Sequence, residues 1–394
     1  MKFTIETNLL KEALSIVNHA TASITTTPIL ESILIKVNFN NVVFTSNNLE
    51  MAIEYVVNEG ISDLTEGAFC IPSKLFTSYV SLVQDNTISL ELIKNDSLEL
   101  KSESGDVKIK GVDAGDFPLI PGVKEETSLN LKGKVLKKAI EKTLFSSAEG
   151  NIRPTLAGIF VNIDGNIARF ASTDSFRLSE YKTTLEENIN NSFSQIIPSK
   201  TTNQLKSIIK DEEDVKIISG DNQIAFIFGN TKFYSRLLNG KFPDYTTFFP
   251  EIHSTKAEIN RVELIQALRK INLISKENNY SIKMVFDSQN GIILETNQTQ
   301  IGEGEVRLVG VVEGENTQIG INSTYFLEVL GVIETTHISI KFENPLSPNS
   351  YNSTYGPRKE KKIIQNLDIL LCLGSCKPTP SPSLVRRGNI IKKS

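Results

Sequence analysis

The sequence predicts an α+β protein built from three tandem copies of one unit of about 125 residues, each copy a doubled strand–helix–three-strand module. Two observations carry this. Ile71-Pro72-Ser73-Lys74 returns as Ile197-Pro198-Ser199-Lys200 and, altered, as Ile321-Asn322-Ser323-Thr324. The spacings are about 126 and 124 residues, and an amphipathic run succeeds the motif each time. Between these runs apolar residues alternate and are punctuated by Asn and Gly, which is hairpin chemistry. One helix per half-unit and mostly antiparallel hairpins place the chain in the α+β class.

Each copy has a helix near its start. Leu9-Leu10-Lys11-Glu12-Ala13-Leu14 matches Val135-Leu136-Lys137-Lys138-Ala139-Ile140 and Glu263-Leu264-Ile265-Gln266-Ala267-Leu268. Apolar residues fall at helical spacing, and the alanine at one register lets the helix lie close to a sheet. A strand pair comes next: residues 33–35 with 42–44, 159–161 with 167–170, and 282–286 with 292–294. Their turns are Asn40-Asn41, Asp164-Gly165-Asn166 and Gln289-Asn290-Gly291. The second half-unit closes on alternating strands, 98–101 with 107–110 and 224–227 with 233–236. Asp116-Phe117-Pro118 and Lys241-Phe242-Pro243 end the first two copies. Side-by-side units would bury their flanks and join their sheets into an arc. The domains expected are residues 1–125, 126–254 and 255–348, with a divergent, disordered tail over 349–394.

Composition excludes several classes. No apolar run approaches the roughly 20 residues of a membrane span, and Met1-Lys2-Phe3-Thr4-Ile5-Glu6 lacks the apolar core of a signal peptide. Cys70, Cys372 and Cys376 give no disulfide framework, which fits a reducing cytoplasm. Cys372 and Cys376 have no Cys or His pair nearby to complete a metal site. The histidines His19, His253 and His337 lie far apart, and Gly302-Glu303-Gly304 is too short for a phosphate loop. Asp211-Glu212-Glu213-Asp214 reads as a solvated acidic turn between helix and strand. No cofactor and no metal are expected, and a nucleic-acid-processing enzyme is the disfavoured rival.

Net charge is −4, but it is segregated. Residues 134–148, 198–210 and 261–276 each carry about +3, residues 72–84 about +1, 7–20 about 0 and 321–333 about −1. The stretch from Asn349 adds about +7, leaving about −20 on the sheets and loops. Positive helices on a negative body suit a phosphate backbone; solvated lysine-rich faces are the plain alternative. The cations are not interleaved with aromatics, so sequence-neutral contact with duplex phosphates fits better than base stacking.

Several motifs together resemble the beta subunit of bacterial DNA polymerase III, the sliding clamp family, over roughly residues 1–348. They are Met1-Lys2-Phe3-Thr4-Ile5, Pro28-Ile29-Leu30, Asn48-Leu49-Glu50-Met51, Arg153-Pro154-Thr155-Leu156-Ala157-Gly158, Thr173-Asp174-Ser175-Phe176-Arg177-Leu178 and Gly240-Lys241-Phe242-Pro243-Asp244-Tyr245. The resemblance implies a head-to-tail homodimeric ring around double-stranded DNA, with helices lining the hole and sheets outside. Such a ring is a non-catalytic processivity factor. Its implied partners are the DNA polymerase III catalytic subunit, the clamp loader, and repair and mismatch proteins carrying clamp-binding peptides.

Residues implied to face DNA are Lys74, Lys137, Lys138, Lys142, Arg153, Lys200, Lys206, Arg269 and Lys270. The client-peptide pocket maps onto Leu156, Thr173, Ser175, Phe176, Arg177, Leu178, Pro243 and Phe248. There Leu, Phe and Pro would supply a greasy cleft, and Thr173 and Arg177 would fix the peptide backbone or its acid. Plain core packing is the alternative for Leu156, Phe176 and Leu178. The dimer interface maps onto Val107 and Ile109 against Leu273 and Ile274.

After Glu343-Asn344-Pro345-Leu346-Ser347-Pro348 the likeness stops. The stretch from Asn349 onward reads as a change of frame or a substituted tail. That predicts a third domain short of two strands, an open edge at residues 337–342, and a pocket missing one wall; pairing of the apolar run Ile363 to Leu373 onto that edge is the disfavoured alternative. A clamp-derived protein crippled in client binding is therefore the second reading.

Overall fold

The computed structural model describes residues 1–342 apart from 24, 94, 95, 151 and 249–252, together with the strands Asn349–Asn352 and Asn366–Leu371. Among these are six α-helices: α1 Thr7–Val17, α2 Ser73–Leu82, α3 Gly133–Thr143, α4 Ser199–Ile208, α5 Arg261–Ser275 and α6 Ser323–Val332. They fall where the repeat predicts. Ala13, Ala139 and Ala267 are all buried, so the small register residue does sit against the packed face. The helices pack in pairs, α1 on α2, α3 on α4 and α5 on α6.

The chain divides into two compact units. The first holds Met1–Ser172 and Tyr181–Phe242; the second holds Thr173–Glu180 and Pro243–Lys362. In the first unit a five-stranded sheet runs Ile61–Thr65, Lys2–Glu6, Thr87–Ile93, Ser97–Ser102, Gly105–Lys110. An eight-stranded sheet joins the first two repeats. Thr231–Arg236 of the second pairs antiparallel with Met51–Val57 of the first, with Phe233 opposite Ile53 and Thr231 opposite Tyr55. Backbone hydrogen bonds thus cross from one repeat to the next, and the two repeats form one unit rather than two. Phe3, Phe44, Phe69, Phe76, Phe226 and Phe233 fill this unit's interior.

In the second unit, Glu305–Leu308, Gly291–Glu295, Ser281–Asp287 and Thr317–Asn322 form a four-stranded sheet. The hairpin at 287–291 uses the predicted turn chemistry. Asp287 Oδ1 accepts from the N–H groups of Gln289 (2.8 Å) and Asn290 (2.9 Å), and these bonds hold its carboxyl below the usual range. Asn260 and Asn322 cap α5 and α6, each accepting from two backbone N–H groups of the first turn.

The tail expectation needs correction. The strand His337–Phe342 is not an edge: Asn349–Asn352 pairs with it, and Asn366–Leu371 pairs with that strand in turn. These two strands take the places of the pair the third repeat is expected to lack, and part of the tail is ordered as sheet. An open strand presents a row of backbone donors and acceptors that any extended segment can satisfy, so the pairing does not need the family's side chains. Residues 343–348, and the rest of the chain after 352 outside 366–371, lie outside the described residues, as do Cys372 and Cys376.

Candidate functional site

The second unit contains a hairpin turn at residues 174–176 whose geometry is set by two side chains. Thr173 Oγ1 donates to the Arg177 carbonyl at 2.7 Å and accepts from the Ser175 N–H at 3.1 Å. Asp174 Oδ1 accepts from the N–H groups of Phe176 (2.8 Å) and Arg177 (2.9 Å). These caps hold Ser175 at φ +80°, a left-handed conformation that a side chain adopts only when its neighbours fix it. The turn throws Phe176 outward, 54% exposed, and Arg177 inward, 7% exposed. Plain core packing therefore describes Leu156 and Leu178, both buried, but not Phe176.

Arg177 is enclosed by partners. Its Nε donates to Asp174 Oδ2 at 3.0 Å, its Nη1 donates to Glu328, and its guanidinium carbon lies 4.4 Å from the centre of the Tyr325 ring. The Phe176 ring is 6.4 Å from that of Tyr325, tilted by 34°. Tyr325 and Glu328 stand three residues apart on α6, so both face the hairpin. Burial raises the Tyr325 hydroxyl above its ordinary range; the Asp174 and Glu328 carboxylates add to this and Arg177 opposes it. Sequence reasoning does not single out Asp174, Tyr325 or Glu328. The signal for the last two lies inside the altered Ile321 copy of the repeat motif.

One expectation is revised here. The resemblance has Thr173 and Arg177 fix a bound peptide, yet Thr173 is engaged by the turn and Arg177 by two carboxylates. Phe176 lies exposed beside the Tyr325 ring, and the Arg177 guanidinium beneath it is already paired. Pro243 is exposed and Phe248 is 53% exposed, so two phenylalanines of the second unit stand open to solvent.

The other recognised motifs lock their neighbourhoods. Phe242 stacks on Phe160 at 4.9 Å and 3°. Tyr245 donates to Glu180 Oε2 at 2.5 Å, with both residues buried. Gly240 has φ +122°, and a Cβ there would meet Thr155 Cγ2 at 2.5 Å, so the Arg153–Gly158 motif and the Gly240 motif require each other.

The expected DNA-facing cations divide. Lys74, Lys200, Arg269 and Lys270 are exposed and carry no ion pair among the described residues. Arg153 is exposed; Lys138 and Lys206 are half-buried. Lys137 pairs with Asp211 at 3.1 Å. Lys142 is 5% exposed and cannot present its charge to a phosphate. It comes three residues after Ala139 and falls on the packed face of α3. Arg261, counted in the basic stripe, instead donates to the Thr335 and Leu330 carbonyls at 3.0 Å each and closes the end of α6. The acidic turn is consumed locally: Asp211 pairs with Lys137, Asp214 with Lys132 at 2.6 Å, and Glu213 accepts from the Lys210 N–H at 2.9 Å. Among the described residues no group of three or more His, Cys, Asp or Glu could hold a metal.

Of the expected interface residues, Val107 and Ile109 lie on Gly105–Lys110, which is an edge strand. Ile109 is 2% exposed and faces the core opposite Leu98, so only its backbone is available at the edge. Val107 and Ile274 are half-buried, and Leu273 is 75% exposed.

Three family models match in succession. The N-terminal, central and C-terminal domains of the DNA polymerase III beta subunit match residues 1–121, 130–244 and 246–365. The third match runs beyond residue 348. The beta sliding clamp of Staphylococcus epidermidis RP62A is 30% identical over 356 residues, covering 88% of this chain and 94% of that relative. That of Bacillus subtilis 168 is 28% identical over 357 residues with the same coverage. Among solved structures, the DNA polymerase sliding clamp of Bacillus subtilis has a TM-score of 0.87 at 26% identity, covering 95% of this chain and 99% of that one. The DNA polymerase III beta chain of Streptococcus pneumoniae TIGR4 has a TM-score of 0.88 at 27% identity, covering 94% and 99%. With three matched domains, a long 30% identity and the same fold, the chain belongs to the DNA polymerase III beta subunit family, the beta sliding clamps, which are processivity factors and not catalysts.

Proposed function

We propose that two copies of this chain close head to tail into a ring around duplex DNA and tether the replicative polymerase to it. Clients would land on the platform made by Phe176, Arg177 and Tyr325. Supporting this most directly is an exposed aromatic side chain held on a strained, doubly capped turn beside a second aromatic ring, which no packing role explains. Thr173, Ser175, Pro243 and Phe248 would complete the pocket, with Leu178 packed beneath the hairpin. Lys74, Lys200, Arg269 and Lys270, with Arg153, Lys138 and Lys206, would face the phosphates. Such contacts are weak and sequence-blind, which a sliding protein needs. Leu273 and Ile274 would meet the edge strand carrying Val107 on the partner subunit.

The domain boundaries proposed are 1–125, 126–254 and 255–348. The remaining proposed partners are the clamp loader and repair and mismatch proteins with clamp-binding peptides. Work on the bacterial chromosome would place the protein in the cytoplasm, and no helix among the described residues is long and apolar enough to cross a membrane. The rival reading, a clamp crippled in client binding by its altered end, is not favoured. The C-terminal domain match continues to residue 365, and two strands complete the sheet after Phe342.

The test is topological. Protein loaded on nicked circular DNA should be retained and should be lost when the circle is cut once. Equal retention on circular and linear DNA would sink the sliding reading.

A further inference from the structure

Arg177 has two anionic partners of different character. Asp174 is part of the turn: its side chain is 13% exposed, and its other oxygen is held by two backbone N–H groups. Glu328 is 43% exposed on the side chain and reaches Arg177 from α6. Among the described residues one guanidinium faces two carboxylates, so its charge is already matched in the free protein. A ligand carboxylate approaching Arg177 has to displace Glu328, while an uncharged apolar ligand does not. A charge pair already made inside a partly desolvated site must be broken before it helps a ligand.

We propose that Glu328 sets the charge preference of this site: it occupies Arg177 in the free protein and turns the platform toward apolar peptides lacking a carboxylate beside the anchoring side chain. The inference rests on the client-site reading and deepens it. Glu328 acts through Arg177, so it is a specificity-determining residue reached without contact to the apolar anchor. Phe176 and the Tyr325 ring supply affinity in both charge states, and Glu328 sets the difference between them.

The test uses the full chain and one synthetic clamp-binding peptide from a replicative DNA polymerase, made with a free C-terminal carboxylate and with an amidated end. Kd is measured by fluorescence anisotropy for the unaltered chain, Glu328→Gln and Glu328→Ala. In the unaltered chain the amide should bind more tightly. Both variants should shift the ratio of the two affinities toward the carboxylate by roughly five- to tenfold, and the shift should shrink at about 0.5 M salt. A ratio within about twofold of the unaltered chain in both variants would overturn the assignment. So would a shift that persists undiminished in high salt, which would mark repacking in place of charge. If neither peptide binds any of the three proteins, the client site itself falls and the role of Glu328 falls with it.

Discussion

The turn at residues 174–176 has an internal copy 126 residues earlier, and the two are nearly superimposable in their bonding. Leu49 has φ +72° where Ser175 has +80°. Asn47 Oδ1 accepts from the Leu49 N–H at 2.8 Å, as Thr173 Oγ1 does from Ser175. Asn48 Oδ1 accepts from Glu50 (3.1 Å) and Met51 (2.9 Å), as Asp174 Oδ1 does from Phe176 and Arg177. The outward chemistry differs completely. Glu50 stands where Phe176 stands, and Met51, 6% exposed, stands where Arg177 stands. Repetition has kept the backbone device and its caps, and the second copy has been given an aromatic face and a charge network. The repeat keeps the turn and varies the side chains that the turn presents.

The sharpest way to break the comparison is to remove the caps. Asp174→Ala removes two backbone caps and one partner of a nearly buried arginine, and should cost about 2–4 kcal/mol in urea unfolding. Asn48→Ala removes only neutral turn bonds and should cost about 1 kcal/mol. Equal costs would mean that the Arg177 network adds nothing to the second copy. Phe176→Ala should weaken peptide binding by roughly ten- to fiftyfold, while Glu50→Ala leaves it unchanged. Gly240 and Gly115 precede the two Phe-Pro pairs. Only Gly240 has positive φ, and a Cβ at Gly115 would meet just the Asp113 carboxylate at 2.9 Å. Gly240→Ala should therefore cost about 1–3 kcal/mol and Gly115→Ala clearly less.

The smallest effect concerns Cys70, the first copy's counterpart of Ile196; both are buried. Burial, helped by the Asp113 charge, pushes the Cys70 thiol up to about 12 from an ordinary 9.0. The folded state holds this proton more tightly, so the resulting stabilisation is present below about pH 9 and is lost as pH rises toward 12. Native protein at pH 8 should resist alkylation at Cys70, and urea should expose it. Rapid labelling of the native protein would show that the thiol does not act as a plain apolar side chain.

Most of the fold is legible in the sequence because it is periodic. Six helices, the buried alanines and the turns at 38–41 and 287–291 come from spacing and local turn chemistry alone, whereas the turn expected at Asp164-Gly165-Asn166 lies inside the single strand Gly158–Thr173. The hairpin motif at 173–178 is legible in the sequence, but its contacts are not. Glu328 is 151 residues from Arg177, and no local pattern reveals that such a pair has formed. Ile109 is placed at the interface by the resemblance, which maps strand positions without regard to the face they take. Alternation puts it on the core face, and the solvent face carries Lys108 and Lys110. Lys142 shows the same limit on a helix, where charge counting ignores which face is packed. Of the two tail strands, Asn366–Leu371 falls in the apolar run 363–373, which the sequence offers as a weaker alternative to a disordered tail, and Asn349–Asn352 has no such signal, because backbone pairing to an open edge asks little of the side chains.

The comparison is tested most directly by hydrogen–deuterium exchange on the full chain with and without the amidated polymerase peptide. The peptide should slow exchange at residues 173–178 and 323–328 and leave the copy at 47–52 unchanged. Protection at 47–52, or none at 173–178 at saturating peptide, would contradict it.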